Sequence, residues 1–473
     1  MKLIFEDRRD TAKASSLRAL AAGSVGNFIE WYEFGVYGYF ATVVAQRFFT
    51  PEGGGAVEGL VKAYASFALA FFFRPVGAAL FGRLGDRTGR RPVLILVVAL
   101  MTGATTLIGV LPTYDTAGVL APWLLTFLRV VQGLSAGGEF GGAVSVMTEF
   151  APPGRRGLYG SWQSFTVALG LLGGAGAAAS LATVLTEDQL TAWGWRLPFL
   201  LALPMGLGAL WLRVRLDETP PFRERERASR EPSAREGVPD PSVPEGVPDP
   251  TVREVVGAVA LGAGRVMGWS AAGYTFLVVL PSYLQTTLHT GFRQALIATV
   301  LGNLGFAATI IPAGLLSDRV GRRPVMLTGA VLVVALAVPL FDLLQSGGTS
   351  SAVKGAAVCG AGAVVGLMAG PGPALLAEMF PTRVRCTGLG LAYALSNAVF
   401  SGCAGLIITE TVRRTGNADV PAYYAATACA VSALALLVRP AGKVGRPGAG
   451  DRSDVRDVVR RRRRGGRRAA PRR

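Results

Sequence analysis

The chain has 473 residues, of which 51% are hydrophobic and 17% charged, and its mean hydropathy is +0.41. That balance excludes a water-soluble globular protein of this size and assigns the chain to lipid. The formal net charge of +17 invites comparison with nucleic-acid binders, but its placement in turns and termini of an apolar chain points to anionic lipid headgroups instead, so no nucleic acid is expected as a partner.

A bilayer core about 30 Å thick takes roughly 20 apolar helical residues per crossing. Runs that meet this length, bounded by charge, Gly or Pro, fall at 18–44, 59–81, 92–112, 119–148, 157–185, 195–213, 255–286, 294–316, 324–344, 353–377, 387–411 and 421–438. They predict an all-α membrane protein with twelve transmembrane helices. The fourth, fifth and seventh runs exceed the minimum and are expected to tilt or to project beyond the lipid. The expected organisation is a cytoplasmic segment 1–17, a six-helix bundle 18–213, a linker 214–254, a second bundle 255–438 and a basic tail 439–473. The linker carries the near-duplicate EGVPDPSVPEGVPDP, whose Pro and charge favour an extended or flexible chain. No signal-peptide core follows the charged amino-terminal segment directly, so the first run is expected to remain as a span.

The stretch GRLGDRTGRRPVL, Gly82 to Leu94, returns as GLLSDRVGRRPVM, Gly314 to Met326, each copy between two apolar runs. Such a return marks an internal duplication into two pseudo-symmetric six-helix halves, the plan of a secondary transporter. Basic residues fix the expected orientation. With the amino terminus inside, about 38 of the 48 Lys and Arg fall on the cytoplasmic side and about 7 outside. The expectation is an integral multi-pass protein of the cytoplasmic (plasma) membrane with both termini cytoplasmic. Cys359, Cys386, Cys403 and Cys429 show neither metal spacing nor a disulfide framework. No Walker sequence, no nucleophile with its base and no metal cluster are legible, so neither a cofactor nor enzymatic catalysis is expected.

The segment GNFIEWYEFGVYGYF from Gly26 to Phe40 resembles the major facilitator superfamily. More narrowly, it resembles the metabolite:proton symporters that include proline/betaine, alpha-ketoglutarate, citrate and shikimate permeases. Further matches are FFFRPVGAALFGRLGDRTGRR, RVVQGLSAGGEFGGA, WGWRLPFLLALP, LDETPPF and EMFPTRVRCTGLGLAYALSNAVF, in that order along nearly the whole chain. The first helix carries Glu33 where many of these permeases carry Asp, and the eleventh continues as SGCAGLIITE. The resemblance implies the major facilitator fold and proton-coupled import of a small organic acid or zwitterion by a protein that works as a monomer. An exporter of the same fold and a non-transporting osmotic or nutrient sensor are the alternatives.

Ionisable side chains at bilayer depth cost about 2.5–3.5 kcal/mol on insertion scales, so each needs a partner, a wet cavity or a function. Six fall there: Glu30, Glu33, Arg74, Arg129, Glu139 and Arg265. Glu30 and Glu33, three apart, share a helix face with Asn27 and Tyr37. They are candidates to carry the proton, against a purely structural pairing with Arg74 or Arg129. The resemblance implies a proton-coupling role for Arg129, in an Arg-x-x-Gln-Gly motif. Glu139, among small residues, is equally open to a packing role. Arg74 and Arg265, the latter with Tyr274 beyond it, are candidates for a substrate carboxylate. Tyr37, Trp162, Gln163, Asn303, Tyr393 and Asn397 are further candidates to touch substrate, each also suited to helix packing. A cytoplasmic gate is expected from the repeated turns, with Asp86, Arg87, Arg90 and Arg91 in one copy and Asp318, Arg319, Arg322 and Arg323 in the other. Glu149, Glu378 and Arg383 at neighbouring helix ends complete it.

Overall fold

Lipid offers no hydrogen-bond partner to a backbone N–H or C=O, so an apolar run of spanning length satisfies its backbone internally as a helix. The computed structural model of the chain follows this rule. It describes residues 24–50, 55–214 and 251–438, leaving out 89, 138, 139, 142, 143, 145, 146, 149, 150, 153 and 381–383 within them, and the side chains of 82, 85–88, 90 and 91. The segment 1–17, nearly all of the linker, and the basic tail lie outside the described residues. So do Glu139, Glu149, Arg383 and the side chains of Asp86, Arg87, Arg90 and Arg91.

The spans are α1 at 24–49, with a turn at Phe40, α2 Ala56–Thr88, α3 Arg90–Val110, and α4, which begins as Leu120–Ala136 and is helical again at described positions between 140 and 148. They continue as α5 Arg156–Val184, α6 Arg196–Val214, α7 Val252–Thr286, α8 Phe292–Val320, α9 Arg322–Gln345, α10 Ser351–Met379, α11 Arg385–Thr415 and α12 Val420–Leu437. Ten of these are long and apolar enough to cross a membrane, and the described parts of α1 and α4 supply the other two.

Three boundaries differ from the sequence reading for local reasons. α2 and α8 run on to Thr88 and Val320, so the repeated Asp-Arg pair occupies the last helical turn rather than a loop. The second copy then reverses at Gly321, whose φ of +101° is open to Gly, and Pro324 is tolerated in the first turn of α9. α7 starts at Val252, three residues inside the expected linker, because Thr251 and Glu254 form a reciprocal capping box.

α1–α6 and α7–α12 form two halves that meet chiefly where α5 packs on α8 and α2 on α11. The α5–α8 crossing depends on glycine: a Cβ on Gly314 would lie 2.5 Å from Ser161 Oγ and 2.8 Å from Gly157 O. The described residues of the halves touch toward both ends. Toward one end Thr42 donates to Gln285 at 2.9 Å and Tyr64 bonds Ser282 at 2.7 Å, while toward the other Ser164 donates to Ala369 O at 2.8 Å. Between these ends Tyr274 of the second half meets Phe67 and Phe71 of the first.

Candidate functional site

Four charged side chains of the first half converge on the centre, and close helix approach puts them there. Gly133 and Gly137, four apart on α4, lie directly against the backbone carbonyls of Ala70 and Arg74 on α2, where a Cβ would collide. Arg129 of α4 and Arg74 of α2 therefore reach the same region from adjacent helices, and α1 supplies the acids. Glu33 and Arg129 are fully buried, Arg74 is 4% and Glu30 7% exposed.

The two acids take separate partners. Glu30 Oε1 lies 3.2 Å from Arg74 Nη2. Glu33 sits at the end of a relay: Arg129 Nη1 donates to Gln132 Oε1 at 2.7 Å, Gln132 Nε2 donates to Thr105 Oγ1 at 2.6 Å, and Thr105 Oγ1 donates to Glu33 Oε2 at 2.6 Å. The Thr105 hydroxyl also lies 3.0 Å from Met101 O, so it has a second acceptor when Glu33 holds a proton and donates in turn. The same threonine thus fits both protonation states of the acid.

Aromatic rings replace water around both arginines. Arg74 Cζ lies 4.2 Å from the Phe71 centroid and 4.4 Å from that of Phe34, while Arg129 Cζ lies 3.4 Å from Tyr37 and 5.0 Å from Phe67. Desolvated cation–π contacts of this kind are worth about 2 kcal/mol. Even so, Arg129 Nε and Nη2, Glu33 Oε1 and the Tyr274 hydroxyl are buried without a hydrogen-bond partner among the described residues. Each such group costs about 1–3 kcal/mol, and a polar ligand at the centre would satisfy them.

The second half faces this cluster with rings and neutral polar groups. Tyr274 packs edge-on against Phe71 at 5.5 Å and near Trp31 at 6.3 Å; Tyr393 stacks on Phe140 at 3.5 Å and lies 5.7 Å from Trp269. Asn397 donates to Tyr393 O and accepts from Ser401. Tyr37 donates to Ala63 O, and Gln163 is buried with Oε1 unpartnered.

Three candidates stand elsewhere. Trp162 is 39% exposed on the outer face of α5 and donates to Ser24, whereas its repeat-related Tyr393 faces inward. Arg265 donates to Ala435 O at 3.2 Å and Val438 O at 2.7 Å, where α12 ends. It satisfies carbonyls that the helix leaves orphaned, so its charge has a structural partner. Asn303 ties α8 to α7 and α1 through Leu277 O and Tyr39 OH. Thr105, Gln132, Trp31, Phe34 and Phe71 join the cluster without having been singled out as site residues. Gln132 is legible from its place three residues after Arg129, but an isolated Thr within MTGATTLIG gives no such signal.

At the α5–α8 end, Asp318 crosses between the halves. Its Oδ1 accepts from Gly157 N at 2.7 Å and its Oδ2 from Leu158 N at 2.9 Å, capping the amino terminus of α5. Arg322 donates to the same Oδ1 at 2.6 Å and to Glu378 at 3.1 Å. Glu378 therefore pairs with the repeated turn. Arg319 is exposed and Arg323 half-buried.

The profile of the family described as "Sugar (and other) transporter" matches residues 19–444. The chain is 34% identical to the proline/betaine transporter of Escherichia coli (strain K12) over 409 residues, 86% of this chain and 80% of that one. It is 36% identical to the ectoine/proline transporter of Corynebacterium glutamicum over 89% of this chain and 83% of that one. With the alpha-ketoglutarate permease of Escherichia coli it shares 35% identity over 82% and 85% of the two chains. Among solved structures, a D-xylose-proton symporter superposes with a TM-score of 0.71 at 19% identity, over 92% of this chain and 99% of that one. Apolar spans, duplicated halves and these matches make the chain an integral membrane protein, not an enzyme, and it belongs to the sugar (and other) transporter family of the major facilitator superfamily.

Proposed function

We propose that the protein imports a small organic acid or zwitterionic metabolite together with a proton, by alternating access around the central cluster. The observation that carries this reading is the buried relay Arg129–Gln132–Thr105–Glu33, in which one end can meet an anionic substrate and the other can hold a proton. Its relatives' names, proline/betaine transporter and citrate-proton symporter among them, support the same class of cargo.

Protonation of Glu33 removes the negative end of the relay and frees Arg129 for a substrate carboxylate. Arg74, now held by Glu30 and two rings, offers a second cation. The rings of Trp31, Phe71, Trp269, Tyr274 and Tyr393 suit the apolar or cationic remainder of a zwitterion. Cargo and proton together cancel charges whose uncompensated burial would oppose the crossing. The Asp318 cap then breaks, the halves rock apart at that end, and Glu33 releases its proton. In this reading Tyr37, Gln163 and Asn397 line the route, Arg265 is a helix cap and Trp162 a lipid-facing anchor. Both termini and the Asp318 end face the cytoplasm, the basic tail meets anionic lipid, and one copy suffices for transport.

The test is accumulation of labelled organic acids, amino acids and betaines by proteoliposomes under an imposed pH gradient, with a protonophore as control. Accumulation of one solute class that collapses with the gradient supports the proposal; accumulation that ignores the gradient refutes it.

A further inference from the structure

α1 and α3 run in the same direction, and their polar residues keep one register. Glu33 meets Thr105, 72 positions further on, in a 2.6 Å hydrogen bond. One turn back on each helix stand Glu30 and Thr102, at the same separation in sequence. Here the rung is not closed by direct contact. Instead a cavity of about 20 Å³ lies between them, lined by Glu30, Thr102, Ser135, Gly26, Val98 and Met101. Thr102 is 3% exposed, and its Oγ1 has no hydrogen-bond partner among the described residues. Its other neighbour is Gly206 of α6, which brings no side chain. Ser135 Oγ donates to Val131 O at 2.8 Å and so retains acceptor capacity toward the cavity.

A volume of this size is that of a single water, and a buried water needs two to four polar partners. Thr102 can donate to it, and Glu30 and Ser135 can accept from it. We propose that this cavity is a water site that gives Glu30 its own proton-exchange contact inside the first half, off the axis that substrate follows, with Thr102 as the positioning residue. The inference rests on the symport reading above. A proton leaving Glu30 bonds to the water oxygen as one O–H of that water passes its proton to solvent when the halves part on the inner side; Glu30 ends as carboxylate and the site ends as water. Among the described residues, charged and titratable groups that face Glu30 include Arg74 from α2, Glu33 from α1, Tyr274 from α7 and Tyr393 from α11. Threonine carries no charge, so a change at Thr102 removes none from the carboxylate's surroundings.

Thr102→Val and Thr102→Ser are compared with wild type in proteoliposomes, reading proton-driven accumulation as a function of pH beside substrate exchange at equal pH. The valine is expected to lower accumulation about fivefold, the change carried by one hydrogen bond between neutral groups, and to shift its pH profile. Exchange should persist, and the serine should restore both accumulation and profile. A valine variant with wild-type accumulation and profile overturns the proposal. Equal loss of exchange and accumulation that serine does not rescue also overturns it, assigning Thr102 to packing against Gly206. A wild type whose accumulation ignores pH would instead overturn the symport reading, and this inference with it.

Discussion

Asp318→Asn isolates the contact that closes the α5–α8 end. Asparagine keeps the shape and one acceptor oxygen, but it removes the charge and presents an NH₂ to one of the two N–H donors of Gly157 and Leu158. It also weakens the 2.6 Å bond from Arg322. Hydrogen bonds to charged groups contribute about 1.5–3 kcal/mol against about 0.5–1.5 for neutral ones, and a carboxylate at a helix amino terminus adds about 0.3–1. Arg322 retains Glu378, so the net loss is about 2 kcal/mol, or about 30-fold in the ratio of closed to open at this end. Ser161, fully buried in the α5–α8 seam, reports it when replaced by Cys in a background lacking Cys359, Cys386, Cys403 and Cys429. Alkylation by an impermeant maleimide in inside-out membranes should accelerate by about ten- to thirtyfold in Asp318→Asn. An unchanged rate would show that the cap does not hold the seam shut.

Glu33→Gln keeps the acceptor for Thr105 but cannot exchange a proton, so gradient-driven accumulation should fall at least tenfold while exchange is retained; equal loss of both would oppose a coupling role. Wild-type uptake should rise as the outer pH falls, because the proton enters with the substrate, and Glu33→Gln should flatten that rise. Arg74→Lys keeps the charge but loses the planar stacking on Phe34 and Phe71, and should weaken apparent affinity about tenfold; unchanged affinity would remove Arg74 from the route. Arg265→Gln gives up bonds to Ala435 O and Val438 O, and should lower stability by about 1–3 kcal/mol with substrate affinity unchanged; thermal unfolding in detergent and binding measured on the same sample separate the two effects.

Most of the fold is legible because lipid imposes a length and a composition on every span, and because the duplicated Asp-Arg-x-Gly-Arg-Arg-Pro turn fixes the register of the halves. Helix ends are less legible. The reading stops α2 at 81 because charge begins there, whereas a helix end in headgroups or water accepts charge and continues to Thr88. In the site, Glu30, Glu33, Arg74 and Arg129 stand out because a charge at bilayer depth is rare. Arg265 satisfies the same rule yet caps α12, because depth along a helix does not reveal which neighbour its side chain meets. Trp162 and Tyr393 show that duplication preserves position without preserving facing. Thr105 is silent in sequence, since a lone hydroxyl in an apolar helix more often bonds its own backbone, as Thr106 does to Thr102 O.

Internal pH, followed while solute is added to voltage-clamped proteoliposomes alongside protein-free vesicles, tests proton coupling most directly. The account predicts protein-dependent acidification of the lumen by one class of organic acid or zwitterion, abolished in Glu33→Gln. Entry of labelled solute through the protein with no change in internal pH would contradict it.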